Sequence, residues 1–503
     1  MSEPINKIVI VGGGSTGWMA AASLSRFIED KAITVTLIES PDIPTVGVGE
    51  ATIPNIVGFN KDLGIDEVEL IKATQATFKL GIEFENWHKK GENFFHPFAD
   101  YGLKIQNVDF HHYVNRAKLA GAKHNLQDYS FACRLAKQGK FAQANSDPQS
   151  PLADYSYAYH FDAVLYAQFL QKFSVKRGIE HISANVCDVQ LNQTSGLIES
   201  VQLADGRKIE GDLFIDCSGF KALLIDEAMG VGLDDLSESL PCNKAIAVQT
   251  ELVTDPTPYT RAIANNAGWQ WCIPLQHRMG NGYIYSNQFI NSQDAEDEML
   301  ATVDGKTINN VRHFDLPLAK RKVIWQKNCF ALGLAAGFLE PLESLGLSLI
   351  QSGLAKLYTF FPDKSFNEHD IAEVNRLHNA ELDRAVDFLS LHYKLTKRDD
   401  TEFWRYCQNM PISAALTHKI EVYKSQGQIV MYDNESFEEA SWLSMFTGFD
   451  VNPQRFDVRA KNIPLEVIEK NLAQMKASMN SAAQQAMTHQ QFLDKHCRAQ
   501  RDI

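Results

Sequence analysis

A chain of 503 residues exceeds what one compact core usually holds, and its 45% hydrophobic and 22% charged residues are those of a globular protein. Its net charge of −14 argues against nucleic acid or an anionic membrane as the principal partner. Eight scattered cysteines without a C-x-x-C pair, and no apolar run near the ~18 residues of a membrane span, suggest a reduced, cytoplasmic protein.

The β-branched run Ile8–Val11 reads as a buried strand of a parallel sheet. Gly12, Gly14 and Gly17 follow in G-x-G-x-x-G order, with Ser15 and Thr16 between the last two, and a small-residue helix comes next. A second strand, ITVTLIES, ends at Glu39 and Ser40, about 20 residues beyond the last glycine. Such glycines permit a tight turn and a close backbone approach to a pyrophosphate, and the helix N-terminus offers N–H groups and partial positive charge. An acid at Glu39 would accept from a ribose hydroxyl. Strand, helix, strand and acid in this order predict a dinucleotide site.

TVGVGEATIP, containing Gly49, Glu50 and Ala51, supplies a second glycine-rich turn directly after the second strand. Farther on, GDLFIDCSGF is an apolar strand ending in a turn, and LGLAAGFLEPLESLGLSLI is a loop punctuated by Gly333 and Gly337 that leads into a helix. Three such loops so far apart suit one sheet revisited after long excursions, and an extended FAD rather than NAD.

Between these loops, FKLGIEF sets Lys79 among Phe78, Leu80, Ile82 and Phe84, which fits a partly desolvated amine or a surface lysine snorkelling along a strand. FFHPFAD holds His96 and Phe98. WQWCIP puts Trp269 and Trp271, two of seven tryptophans, on one edge of an extended segment stopped by Pro274. The dipeptide pattern alone fits a core strand. His111 and His112 lack H-E-x-x-H or Cys/His spacing, so no metal is expected. Residues 365–503 are mostly helical by periodicity, and the charges of HYKLTKRDDTEFW suggest a surface connection between helices.

GGGSTGWMAA, GVGEATIP, FKLGIEFENW, YAYHFDA, DCSGF, WQWCIP, GYIYS, PLESLG and HYKLTKRDDTEFW occur in that order, and through them the sequence resembles the flavin-dependent halogenases of the tryptophan halogenase family. The resemblance implies an α/β (α+β) fold. An FAD-binding Rossmann-like module, of the p-hydroxybenzoate hydroxylase-like flavin monooxygenase type, is expected at 1–94, 150–245 and 323–362. An interleaved, largely helical substrate module is expected at 95–149, 246–322 and 363–503. The cofactor set implied is FAD, reduced by a separate flavin reductase that visits transiently, with O2 and chloride or bromide.

In that family a halide attacks a flavin hydroperoxide, and the hypohalous acid formed travels to a separate substrate pocket. By resemblance, Trp269 and Trp271 are rigid bulk barring an organic substrate from the flavin. Lys79 matches the essential lysine, which orients hypohalous acid or forms a haloamine. Glu343 matches the glutamate that stabilises the arene cation and accepts its proton. Backbone N–H groups of Leu345 and Gly346 match the halide site, although members acting on tryptophan carry a hydroxyl residue where Leu345 stands. His96 and Phe98 match residues that sandwich an aromatic substrate. Flavin contacts fall to Gly12, Gly14, Ser15, Thr16, Gly17, Glu39, Gly49, Glu50, Ala51, Gly333 and Gly337. Leu334 replaces the acid of the GDAAG loop of related monooxygenases, which disfavours an aromatic hydroxylase or epoxidase. A flavin-binding paralogue without turnover is the other alternative. No tyrosine-rich segment for an amino-acid moiety is evident, so the expected substrate is an indole or phenol, free or tethered to a carrier protein.

Overall fold

The computed structural model describes residues 3–28, 32–43, 50–144 and 155–500. The chain forms two compact units, each built from three separated stretches. The first comprises Met1–Ala76, Phe161–Ser237 and Leu316–Asp383, and the second Thr77–His160, Glu238–Asp315 and Arg384–Ile503. Two of these changeovers have an evident cause in the hydrogen bonding. Strand Gly81–Glu85 hydrogen-bonds in parallel to Thr260–Ala264, which draws the Lys79 segment into the second unit. The long helix Glu368–Lys394 begins in the first unit because Asn375 accepts from the backbone N–H groups of Ile324 and Trp325.

The first unit is centred on a six-stranded sheet in the order Trp325–Gln326, Cys329–Ala331, Leu213–Asp216, Lys7–Val11, Thr34–Glu39, Glu180–Ser183. All neighbours are parallel except the Trp325–Gln326 edge. A parallel sheet is covered on both faces, which is why its strands read as unbroken apolar runs. From Lys7–Val11 the chain moves outward to Thr34–Glu39 and Glu180–Ser183, then returns to the opposite side at Leu213–Asp216. That reversal leaves the carboxyl ends of two strands side by side, with Val11 opposite Asp216, the place where open α/β sheets bind nucleotides.

The second unit holds a seven-stranded sheet in the order Arg312–Asp315, Lys244–Thr250, Met279–Tyr285, Gly268–Pro274, Thr260–Ala264, Gly81–Glu85, Asn93–Pro97. WQWCIP is thus an inner strand, buried along its whole length. The helices expected of a substrate module are concentrated after residue 384, at Glu402–Asn409, Ala414–Gln426, Glu439–Gly448, Leu465–Gln485 and His489–His496. Before that point the unit is chiefly sheet. HYKLTKRDDTEFW is not a surface connection throughout. Arg398 is buried, donating to the carbonyls of Asn86 and Ala264 and pairing with Asp400. Its guanidinium lies 4.8 Å from the Trp404 ring. Among the described residues, no helix is long and apolar enough to cross a membrane.

Candidate active site

In the first unit the turn after Lys7–Val11 lies on the carboxyl end of Leu213–Asp216. Gly12 has φ +109°, and a Cβ there would stand 2.2 Å from the Cys217 carbonyl oxygen. A Cβ on Gly17 would meet the Gly12 oxygen at 2.0 Å, so only glycine lets the helix Gly14–Phe27 approach this turn. Ser15 and Thr16 occupy the helix's first turn, which no side chain caps. Its N–H groups and positive dipole end fit a pyrophosphate.

Glu39 closes the arrangement from the end of its strand. One of its carboxylate oxygens accepts from the Gly14 N–H at 3.3 Å, and the other from Trp18 Nε1 at 3.3 Å. His181 Nε2 stands 3.4 Å from the same carboxylate. Each oxygen keeps a further lone pair for a ribose hydroxyl. The side-chain-free approach at Gly12, the uncapped helix and the acid together fit the phosphate and adenosine ends of FAD.

The loop Gly333–Gly337 covers the same helix turn, where a Cβ on Gly333 would come within 2.4 Å of Thr16 Oγ1. Gly337 passes close to the Ala319 carbonyl oxygen. Arg321, which no motif flagged, braces this loop. Its Nε donates to Ala335 O at 3.2 Å, its Nη1 to Val231 O at 2.6 Å, and it pairs with Asp226 at 2.6 Å. Glu50 and Ala51 form a short strand, and burial, with Asp162 as like-charged neighbour, pushes the Glu50 carboxyl up to about 7. Gly49 lies outside the described residues.

Glu343 is buried at φ +68°, and Ser344 follows at φ +63°. Two adjacent non-glycine residues in the left-handed region each cost on the order of 1–3 kcal/mol, a strain that collects at functional positions. They lead into helix Gly346–Thr359, whose N-cap residue Leu345 provides no side-chain cap. A Cβ on Gly346 would meet nothing within 4 Å.

The second unit carries Lys79, Trp269, Trp271, His96 and Phe98. Lys79 is 0% exposed, and its Nζ stands 5.1 Å from the Phe98 ring centroid. This desolvated contact exploits the ring's negative face. Phe98 meets His96 edge-on at 6.4 Å, and His96 faces Phe388 at 6.1 Å. Phe388 stacks on Phe437 at 3.8 Å and meets Trp442 edge-on at 5.0 Å. Lys79, Phe98 and His96 are therefore brought together, at one end of an aromatic wall. The wall's other members, Phe388, Phe437 and Trp442, carry no motif because they lie far along the chain from Lys79.

Trp269 and Trp271 are buried with ring centroids 6.2 Å apart, and Trp269 is 6.3 Å from Trp87. Trp271 Nε1 is buried without a hydrogen-bond partner among the described residues. No group of three or more His, Cys, Asp or Glu placed to hold a metal occurs among the described residues.

The family model for tryptophan halogenase matches residues 7–464. Tryptophan 7-halogenase RebH of Lentzea aerocolonigenes is 36% identical over 451 residues, covering 84% of this chain and 83% of its own length. Among solved structures, BrvH, a flavin-dependent halogenase from Brevundimonas sp. BAL3, superposes with a TM-score of 0.95 at 40% identity, over 98% of this chain and 99% of its own. Xcc4156, a flavin-dependent halogenase from Xanthomonas campestris, does so with a TM-score of 0.95 at 40% identity, over 99% and 100%.

Proposed function

The chain belongs to the tryptophan halogenase family of FAD-dependent enzymes, and from that premise we propose that it installs chlorine or bromine on an electron-rich arene. The substrate is an indole or phenol, free or carrier-tethered. A separate flavin reductase delivers the reduced cofactor. When bound, reduced FAD supplies two electrons to O2, and the halide supplies the other two, giving hypohalous acid and water.

Each group of residues has a task in this scheme. The glycine turn with Ser15, Thr16 and Glu39 holds the pyrophosphate and ribose, and Glu50, Ala51, Gly333 and Gly337 line the remainder of the cofactor. Backbone N–H groups of Leu345 and Gly346 hold the halide. Trp269 and Trp271 keep the arene from the flavin, and His96 and Phe98 hold it flat. Lys79 donates to the oxygen of hypohalous acid and thereby sharpens the halogen as an electrophile. The C–X bond forms as the O–X bond breaks, Lys79 passes a proton to the departing oxygen to complete water, and Glu343 takes the proton leaving the ring carbon.

The observation carrying this reading is Lys79 itself, an amine wholly withdrawn from solvent against an aromatic ring. The test is an aerobic assay with FAD, NADH, a flavin reductase and chloride or bromide over a panel of indoles, phenols and pyrroles. Products carrying the halogen isotope pattern are expected, falling by about 100-fold or more with Lys79→Ala and with Glu343→Ala. Oxygenated products without halide dependence would replace this reading with a hydroxylase.

A further inference from the structure

Lys79 ends a strand of three residues, Thr77–Lys79, too short to hold a buried lysine by its ladder alone. That strand runs antiparallel to Ala158–Phe161, with Thr77 opposite His160. The Thr77 hydroxyl donates to the Pro274 carbonyl, the last residue of the WQWCIP strand, at 2.7 Å. It also lies 2.9 Å from His160 Nδ1, while His160 Nε2 lies 2.9 Å from Thr260 Oγ1.

These contacts fix the Thr77 proton and, for a neutral ring, the tautomer of His160. A carbonyl only accepts, so the single hydroxyl proton of Thr77 goes to Pro274, and Thr77 Oγ1 must accept from His160 Nδ1–H. A neutral imidazole then carries no proton on Nε2 and accepts from the Thr260 hydroxyl. His160 is 0% exposed, and burial, then the neighbouring Lys79 and His489, holds its ring well below the usual imidazole range. The next residue along, Phe78, is anchored in the same manner. Its N–H donates to His489 Nε2 at 3.1 Å, and His489 Nδ1 donates to Pro256 O at 2.8 Å.

We infer that His160 is a positioning residue for Lys79: as the neutral Nδ1–H tautomer it fixes the Thr77 hydroxyl on Pro274 and so locks the lysine strand to the end of the tryptophan strand. This rests on the role of Lys79 proposed above. An oriented ammonium is useful only where hypohalous acid emerges, and displacement by about 1 Å suffices to cost two orders of magnitude in such steps. A loosened Thr77–Lys79 strand leaves the oxidant intact and lets it escape uncaptured.

The experiment measures the ratio of halogenated arene to free hypohalous acid caught by an added thioether, per NADH consumed, in the full-length enzyme with FAD and reductase. His160→Leu removes both ring bonds, and Thr77→Val removes the hydroxyl at constant shape. His160→Asn keeps a side-chain N–H in the Nδ1 position. The ratio is expected to fall about tenfold or more in His160→Leu and Thr77→Val and to recover at least a third of its value in His160→Asn, with NADH-coupled oxygen consumption unchanged within about twofold. Amide exchange of the segment around Thr77–Lys79 is expected to rise in the first two variants and not in the third. If His160→Leu does not fold, Thr77→Val alone decides. A wild-type ratio in folded His160→Leu or Thr77→Val, or equal loss in Leu and Asn variants at an unchanged ratio, would overturn the inference. A Lys79→Ala enzyme that keeps the wild-type ratio would instead overturn the role of Lys79, and the positioning role with it.

Discussion

Trp271 covers Gly282 on the adjacent strand so closely that a Cβ on Gly282 would stand 1.9 Å from the indole. The ring is held flat by the absence of a side chain beneath it, which gives a way to move the indole without altering it. Gly282→Ala must tilt Trp271, at an overpacking cost of about 1–3 kcal/mol. If Trp271 is the barrier between flavin and arene, halogenated product falls about tenfold or more in Gly282→Ala, while Trp271→Phe, still bulky, stays within about threefold. Product yield from folded Gly282→Ala equal to wild type would remove the barrier role.

Gly12 and Gly346 make opposite expectations from the same substitution. Gly12→Ala forces a Cβ onto the Cys217 carbonyl at positive φ and is expected to lower stability by about 2 kcal/mol or more and to abolish FAD retention. Gly346→Ala enters open space at the start of a helix, so thermal stability should stay within about 0.5 kcal/mol of wild type. If the Gly346 N–H holds the halide, the new methyl crowds that anion and the halide concentration for half-maximal rate rises about tenfold or more. Halide titration with melting curves on both variants separates the two roles, and an unchanged halide requirement in Gly346→Ala would count against the anion site.

The parts of this site that were legible in the sequence are those whose physics is local. Gly12, Gly14 and Gly17 announce a turn because the turn, the helix and the acid at Glu39 lie within one strand–helix–strand unit. The burial of Lys79 is not legible locally, since nothing nearby in sequence distinguishes a buried lysine from a snorkelling one, and the roles proposed for Lys79 and Glu343 rest on motif resemblance. What stayed hidden depends on partners far along the chain. The pairing of Gly81–Glu85 with Thr260–Ala264 draws the Lys79 segment into the second unit. Arg398 reads as surface charge until the carbonyls of Asn86 and Ala264 are seen to receive its guanidinium. Arg321 carries no motif, and its meaning comes wholly from Ala335, Val231 and Asp226.

Glu50 offers a pH test of the first unit. Its folded value of about 7 lies above the ordinary 4.5 because burial, and then Asp162, disfavours the charge. A raised carboxyl binds its proton first in the folded chain, so its contribution to stability falls as pH rises from 4.5 to about 7 and stays low above that. Glu50→Gln removes the penalty. The variant should exceed wild type by roughly 1–2 kcal/mol at pH 8 after allowing for solvent screening, and the two should converge near pH 4. Urea unfolding at both pH values checks this, and a wild-type advantage at pH 8 would mean that the carboxylate is stabilised in place.

The acid side is governed by histidines that are buried and neutral. Burial lowers His489 to about 4, with the Pro256 carbonyl opposing the shift, and burial followed by His112 lowers His111 to about 4. For a depressed imidazole the unfolded chain binds the proton first, so stability is fully present above 6.5 and is lost as pH falls from 6.5 towards 4. Each ring removes about 3 kcal/mol across that window. His489→Asn retains a donor for Pro256 but cannot titrate, so its unfolding free energy should decline less steeply below pH 6.5, by one proton's worth of slope. It should also be lower at pH 8, where the lost acceptor leaves the Phe78 N–H unsatisfied at a cost of about 1–3 kcal/mol. Crossing of the two stability curves between pH 8 and pH 4 is the expected signature; parallel curves would show that His489 already carries its proton in the folded chain.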